Sequence, residues 1–294
     1  MRPKTYRKRK KIRIGLFLGA LLFILLAIGV FILFRPQKLA GNVPVKVGTD
    51  ATIALQKVNN SGVAFTDDAG APEFVTLKSS GTQSNHVDDL SDLTGGNFII
   101  YRIHNAKVLK TATKPIPQQE YLSDLAVRYP SAIIMNTSGF NLTSGKLRGL
   151  QINNGQLISG WDARDFPTSA FVVYKDGKTG VIENTQPAAE IMKSQVVQSH
   201  SWGAVLVKNG KLQPDDGSIN WEYHSFIGTD KNNNLILMIS KYYSYATVEE
   251  LYQSLNLESL VTMDGGNSSQ IWVSGTNVFQ DSADRALPDC IVAE

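Results

Sequence analysis

The sequence predicts an α+β (mixed α/β) fold: a multi-stranded mixed sheet with a few helices, preceded by one N-terminal transmembrane helix. Three observations carry this expectation. Residues 14–34 (IGLFLGALLFILLAIGVFILF) contain no charged side chain. A helix rising about 1.5 Å per residue crosses a hydrocarbon core of roughly 30 Å in about 20 such residues. From residue 97 onward, short apolar runs rich in β-branched and aromatic residues break repeatedly at Gly, Asn or Asp, as strands and turns do. Three stretches with helical signals interrupt those runs without alternating strictly with them, which argues for α+β or mixed α/β.

The flanks of the apolar run set its orientation. Residues 1–13 carry eight Lys or Arg and no acid, and only Arg35 and Lys38 lie just beyond the run. Basic residues stay on the cytoplasmic side. Residues 1–13 are therefore expected to be a cytoplasmic tail, and 14–34 a single-pass signal-anchor in the lipid bilayer of the cell membrane. All that follows is then extracytoplasmic. A cleaved signal peptide is the rival, but its apolar region spans about 7–15 residues and ends in a small-x-small site. The sequence RPQKLAGN offers no such site. Without the tail, 21 basic residues face 26 acidic ones, net −5. The positive charge of the whole chain thus belongs to membrane topology, and nucleic acid has no electrostatic footing as a partner. Cys290 is the only cysteine, so no intrachain disulfide forms and the outer part relies on its core.

Residues 35–50, with Pro36 and Pro44, read as a linker. Residues 51–96 are polar and rich in Gly, Ser, Asn and Asp, either a membrane-proximal element or the first edge of the main domain, which spans 97–294. Within it the strand-like runs are FIIYRI, AIIMN, GLQI, SAFVVY, GAVLV, SFIGT, LILMIS, LVTM, SQIWV and PDCIVA. INNGQ, YKDGKTG, VKNGK and TDKNNNL read as hairpin turns, because Gly and Asn accept positive φ. Helices are expected over residues 117–129, with Pro117 in the first turn, and over 188–196. A third should start where Thr247 and Glu250 have capping-box spacing, with Val248, Leu251, Tyr252 and Leu255 on one face.

Several chemistries lack their residues. His86, His104, His200 and His224 have no zinc-ligand spacing. No Gly-rich loop precedes Lys-Ser/Thr, and GFNLTSG is not a nucleophile elbow. Asp230, Asn232 and Asn234 begin like a calcium loop, but Leu235 and Lys241 occupy its glycine and glutamate positions; a hairpin turn remains. Two segments stand out. AIIMNTSGFN runs from an apolar strand into Asn136, Thr137, Ser138 and Gly139, and LVTMDGGNSSQ repeats the design with Asp264. Strand ends that open into small polar residues place side chains at a sheet rim, where ligand sites collect. Small residues also let a substrate approach the backbone, whose successive N–H groups can cradle an anion.

With NTSGF and DGGNSS in this order, WGAVLVKNGK between them and FIGTD…LILM before the third helix, the chain resembles the phosphodiester glycosidase family from about residue 97 to 293. That family includes the enzyme that uncovers mannose 6-phosphate by removing N-acetylglucosamine, and bacterial proteins labelled as exopolysaccharide-related. Carried over by position, its Asn-Gly-Gly-Phe loop falls on Asn136, Ser138, Gly139 and Phe140. Its Asp-Gly-Gly-Gly-Ser-Ser loop falls on Asp264, Gly265, Gly266, Asn267, Ser268 and Ser269. Asn267 thus replaces a glycine. His224-Ser225 stands where the family shows Arg-Thr or Arg-Ser, and Asp284-Arg285 where it shows Glu-Arg.

The resemblance implies hydrolysis of a glycosyl phosphodiester in a cell-envelope glycopolymer or exopolysaccharide, with no cofactor. Ordinary glycosidases use two carboxylates, one of which protonates a poor leaving group. A sugar 1-phosphodiester departs as phosphate, already a weak base with a second pKa of about 6, so one carboxylate and a cradle of donors suffice. Asp264 is then the nucleophile, base or oxocarbenium stabiliser. Gly265, Gly266, Ser268 and Ser269 orient phosphate or sugar, Asn136 and Ser138 bond the sugar, and His224 is the replacement cation or acid. Arg148 and Arg285 are candidate phosphate partners, and Glu222 a candidate second carboxylate. Two alternatives stand beside this reading. One is a non-catalytic saccharide-binding or phosphosugar-binding module of the same fold. The other is a metal-dependent phosphodiesterase in which Asp264, Asn267 and backbone carbonyls ligate a divalent ion.

Overall fold

The computed structural model describes residues 73–81, 84–109, 118–161, 169–214, 223–240, 244–281 and 285–294. The basic tail, the apolar run 14–34, the linker, Pro117, Glu222 and Asp284 lie outside them. Among the described residues no helix is long and apolar enough to cross a membrane.

The chain is mostly β, and its strands form three antiparallel sheets where one mixed sheet was expected. The six-stranded sheet runs, in spatial order, β1 (Phe74–Thr76), β4 (Lys107–Leu109), β18 (Cys290–Ala293), β5 (Ile133–Asn136), β16 (Gln270–Val273) and β17 (Thr276–Gln280). The five-stranded sheet runs β7 (Gln156–Ser159), β6 (Gln151–Asn153), β10 (Val196–His200), β8 (Ser169–Tyr174) and β9 (Thr179–Glu183). The seven-stranded sheet runs β12 (Lys211–Leu212), β11 (Val205–Lys208), β15 (Leu257–Gly265), β13 (His224–Asp230), β14 (Leu235–Ser240), β3 (Phe98–Ile103) and β2 (Val87–Asp89). Strands before residue 97 take part: β1 pairs with β4, and β2 with β3.

Alternation along each strand explains the layers. Ile133 and Met135 of β5, Phe171 and Val173 of β8, Leu235, Leu237 and Ile239 of β14, and Val261 and Met263 of β15 share one central core. Their neighbours face outward, where three short helices cover them. Helix α1 (Leu122–Arg128) packs Leu122, Leu125 and Ala126 over Ile134 and Val292. Helix α2 (Ala188–Met192) places Ile191 against Ala170 and Val172. Helix α3 (Tyr245–Ser254) seats Val248 and Leu251 on Ile236, Met238 and Leu260. Strands covered on both faces read as unbroken apolar runs even though their pairing is antiparallel.

The four expected hairpins are present as β6–β7, β8–β9, β11–β12 and β13–β14. In two of them Asn154-Gly155 and Asn209-Gly210 both take positive φ, as a type I′ turn requires. In β13–β14 the Asp230 carboxylate accepts from the N–H groups of Asn232 and Asn234 and closes the turn. The helices differ from expectation. Residues 118–121 stay outside α1, and α2 ends at Met192 because Val196 opens the buried strand β10. The cap of helix α3 lies three residues before Thr247: Ser244 is the N-cap, its hydroxyl accepting from Thr247 N–H at 3.3 Å.

Candidate active site

The segment DGGNSS is a corner between two sheets. Strand β15 of the seven-stranded sheet continues through Asp264 to Gly265, a 3-10 turn covers Gly266–Ser268, and β16 of the six-stranded sheet begins at Gln270. Asn136, at the end of β5, staples both ends of this corner. Its Nδ2 donates to the Asp264 carbonyl at 2.8 Å, and its Oδ1 accepts from Gln270 N–H at 3.0 Å and from the Ser225 hydroxyl at 2.6 Å. One residue on, the Thr137 carbonyl accepts from Asp264 N–H at 2.8 Å. The two loops singled out in the sequence therefore meet, and Asp264 is fixed on both sides of its Cα.

Behind the first loop lies a polar network that sequence reasoning missed. The Oδ2 of Asp289 accepts from the Thr137 hydroxyl at 2.7 Å and from Ser138 N–H at 3.1 Å, and it lies 2.9 Å from His200 Nδ1. Thr137, His200 and Asp289 are all buried. The Ser138 hydroxyl accepts from Ser201 N–H at 2.8 Å and donates to Gln151 Oε1 at 3.3 Å. Asn136 and Ser138, expected to bond a sugar, are buried and hold these protein partners. The only sequence signals for the network are a polar residue closing β10 and another preceding β18, and neither names its partner.

At Gly265 and Gly139 protein atoms leave no room for a side chain. A Cβ on Gly265 would run into the Tyr223 carbonyl and come within 2.7 Å of His224 Nδ1, because β13 begins directly opposite, with His224 paired to Gly265. The Gly266 N–H, expected to cradle an anion, donates to the Tyr223 carbonyl at 2.7 Å. A Cβ on Gly139 would enter the indole of Trp202. Trp202 itself is partly exposed, between Ser201, bonded to Ser138, and Gly203, whose N–H donates to the Thr262 carbonyl at 2.9 Å.

The remaining expected residues border this corner. His224 and Asp264 are partly buried neighbours across the β13–β15 ladder. Asn267 is exposed at the tip, whereas Ser268 and Ser269 are buried below it. Arg285 lies over the Phe140 ring at 5.1 Å, and Arg148 N–H donates to the Gly139 carbonyl at 3.0 Å, so both arginines flank the first loop. A surface hollow of about 280 Å³ lies elsewhere, at the β8–β9 turn and lined by Tyr174, Lys175 and Asp176; it brings together no catalytic set. Among the described residues, the set of three His, Cys, Asp or Glu groups that comes within ligand reach is His86, Asp88 and His104, on or beside strands β2 and β3, which β14 and β13 separate from β15.

The profile of the phosphodiester glycosidase family matches residues 130–294, both loops and the corner included. The chain belongs to the phosphodiester glycosidase family. Among solved structures, the catalytic domain of zebrafish N-acetylglucosamine-1-phosphodiester alpha-N-acetylglucosaminidase, auto-inhibited by its pro-peptide, shares the fold. Its TM-score is 0.54 at 18% identity, covering 75% of this chain and 86% of that one. The SPbeta prophage-derived uncharacterized protein YomE of Bacillus subtilis (strain 168) is 27% identical over 189 residues, 59% of this chain. The chain spans only 29% of that relative's length. The matched loops, Asn136–Phe140 and Asp264–Ser269, lie inside the family's own segment.

Proposed function

We propose that this protein is a membrane-anchored, extracytoplasmic hydrolase that cleaves a sugar-1-phosphodiester in a cell-envelope glycopolymer or exopolysaccharide. The observation that carries the reading is the junction of the two loops: Asn136 and Thr137 clamp the backbone of Asp264 on both sides, with His224 alongside. In this reading Asp264 faces the anomeric carbon as nucleophile, base or oxocarbenium stabiliser. His224 and the two arginines face the departing phosphate, and the exposed part of Trp202 offers an apolar wall to the sugar ring. Asn136 and Ser138 act by positioning. The basic residues before the run 14–34 support the anchor and its orientation.

The test is turnover of an N-acetylglucosamine-1-phosphodiester by the full chain and by Asp264→Ala. Loss of at least about a hundredfold in kcat, with unchanged melting behaviour, is expected when a group that handles charge or protons at the reacting centre is removed. Equal turnover in the variant overturns the assignment. One observation favours a second reading, a phosphosugar-binding module: the Gly266 N–H is committed to Tyr223, so the backbone cradle for phosphate is smaller than the loop sequence suggests. That reading gives saccharide binding by the unmodified chain without turnover. Activity that survives exhaustive chelation excludes a metal-dependent phosphodiesterase.

A further inference from the structure

We propose that His86, Asp88 and His104 form a binding site for a divalent transition-metal ion of the zinc class, at the edge of the seven-stranded sheet. The register creates it. Val87 pairs with Ile103 and Asp88 with Arg102, and His104 N–H donates to the His86 carbonyl at 3.0 Å. His86 therefore stands opposite His104, and Asp88 lies two residues farther along the same face. The Oδ2 of Asp88 lies 2.9 Å from His104 Nε2, and its Oδ1 lies 3.3 Å from His86 Nε2. One donor atom from each residue falls within 4.8 Å of the others.

The protonation pattern points to a cation. His86 Nδ1 lies 2.8 Å from the Ser84 carbonyl, which can only accept, so Nδ1 carries the hydrogen. In the neutral ring Nε2 is then a lone pair, aimed at a carboxylate oxygen 3.3 Å away. A single cation placed there satisfies both acceptors, and the two imidazoles, stacked at 3.8 Å between centroids and 11° between planes, bring a nitrogen from each ring within reach of it. A backbone carbonyl on the second nitrogen is also how metal-bound histidines are oriented.

Two imidazoles and one carboxylate suit zinc, copper, nickel or cobalt better than the oxygen-seeking magnesium and calcium. Ligands about 2.0–2.2 Å from zinc stand roughly 3.4 Å apart in a tetrahedron, so the set must close by about an ångström. The exposed side chain of His86 and the partly exposed one of Asp88 can provide that movement by leaving the stack. Arg102, 3.9 Å from Asp88, opposes the ion weakly because its guanidinium also engages Asp230 at 3.3 Å and the Leu255 carbonyl at 3.2 Å. The ion replaces the hydrogen between His104 Nε2 and Asp88 Oδ2, as ligands give up their protons to a metal. Strands β3, β14 and β13 separate β2 from β15. The ion therefore pins the edge strand β2 and takes no part at Asp264.

The experiment titrates the metal-stripped full chain with zinc chloride, followed by calorimetry and by metal content after gel filtration. One equivalent per chain is expected, together with a higher melting temperature and at least tenfold weaker binding in both His86→Gln and Asp88→Asn. His224→Gln and Asp264→Ala should bind as the unmodified chain does. His86 is exposed, so its variant keeps the fold, and an unchanged circular dichroism spectrum verifies this. Less than about a tenth of an equivalent bound overturns the proposal, as does binding that follows His224 or Asp264 in place of His86.

Discussion

Asn136 offers the sharpest test of how the corner is built. Its amide bonds the Asp264 carbonyl, the Gln270 N–H and the Ser225 hydroxyl at 2.8, 3.0 and 2.6 Å, and it is 1% exposed. Asn136→Ala deletes three buried hydrogen bonds at a net cost of about 1 kcal/mol each, so roughly 3 kcal/mol is expected. For a domain of this size that is about 6–12 °C in Tm. Asn136→Asp is more discriminating. The new carboxyl keeps the shape and can still accept from Gln270 and Ser225, but when ionised it sets a negative oxygen against the Asp264 carbonyl. When protonated it donates there as the amide did. Its folded pKa must therefore rise above the unfolded value of about 3.9. A raised acid pKa means that the penalty is absent below the unfolded value. It then grows with pH by up to about 1.4 kcal/mol per unit until the folded pKa is passed. Urea unfolding of both variants at pH 5 and pH 7 measures this. The reasoning is refuted if Asn136→Ala costs under about 0.5 kcal/mol, or if Asn136→Asp shows the same deficit at both pH values.

Other expectations follow from neighbouring contacts. Asp289→Asn weakens three buried contacts on one carboxylate oxygen; since bonds to a charged group count for about 1.5–3 kcal/mol each, a loss near 3 kcal/mol should appear in chemical denaturation. Gly265→Ala forces a methyl group into the Tyr223 carbonyl and the His224 ring, which costs about 1–3 kcal/mol by overpacking and should lower kcat more than it raises KM. Asp88 has a depressed carboxyl pKa in the folded state, so its contribution is present above the unfolded value and is lost as pH falls through the folded one. Metal-free Asp88→Asn should accordingly be less stable than the unmodified chain at pH 7, with the two converging on acidification; parallel curves across that range would show the carboxylate to be idle.

The parts of the fold legible in the sequence were those set by neighbours in the chain. Asn154-Gly155 and Asn209-Gly210 specify their turns by local backbone preference, and each hairpin followed. The division into three sheets was not legible, because it depends on which strands meet across the chain: β5 lies between β18 and β16, both contributed by the last segment. Helix α3 began early because Ser244 and Thr247 cap it together, and the capping-box pattern at Thr247 and Glu250 resembled the signal closely enough to displace it. In the candidate site, Asp264 and Asn136 were visible because each ends an apolar run. Asp289 and His200 were hidden because a buried polar residue gains its meaning from a partner, and theirs lie 152 and 63 residues away at Thr137.

The corner also changes what the departures from the family pattern mean. Gly265 must stay small for the start of β13, so its place in the motif is a requirement of sheet packing. Asn267 is exposed at the tip of the turn, where a side chain displaces no neighbour in the core. Exchange of the family's third glycine for Asn267 is therefore cheap for the fold, and its consequence falls on whatever the tip touches. His224 is different, since its ring packs beside Gly265, one residue from Asp264. A change there alters the side chain that borders Asp264, the carboxylate of the proposed reaction. Substrate range should thus follow Asn267, and the rate of the chemical step should follow His224: Asn267→Gly is expected to move KM among glycosyl phosphodiesters at nearly constant kcat, and His224→Gln to lower kcat with KM little changed. The opposite pattern in steady-state kinetics would place His224 on the binding side of the site.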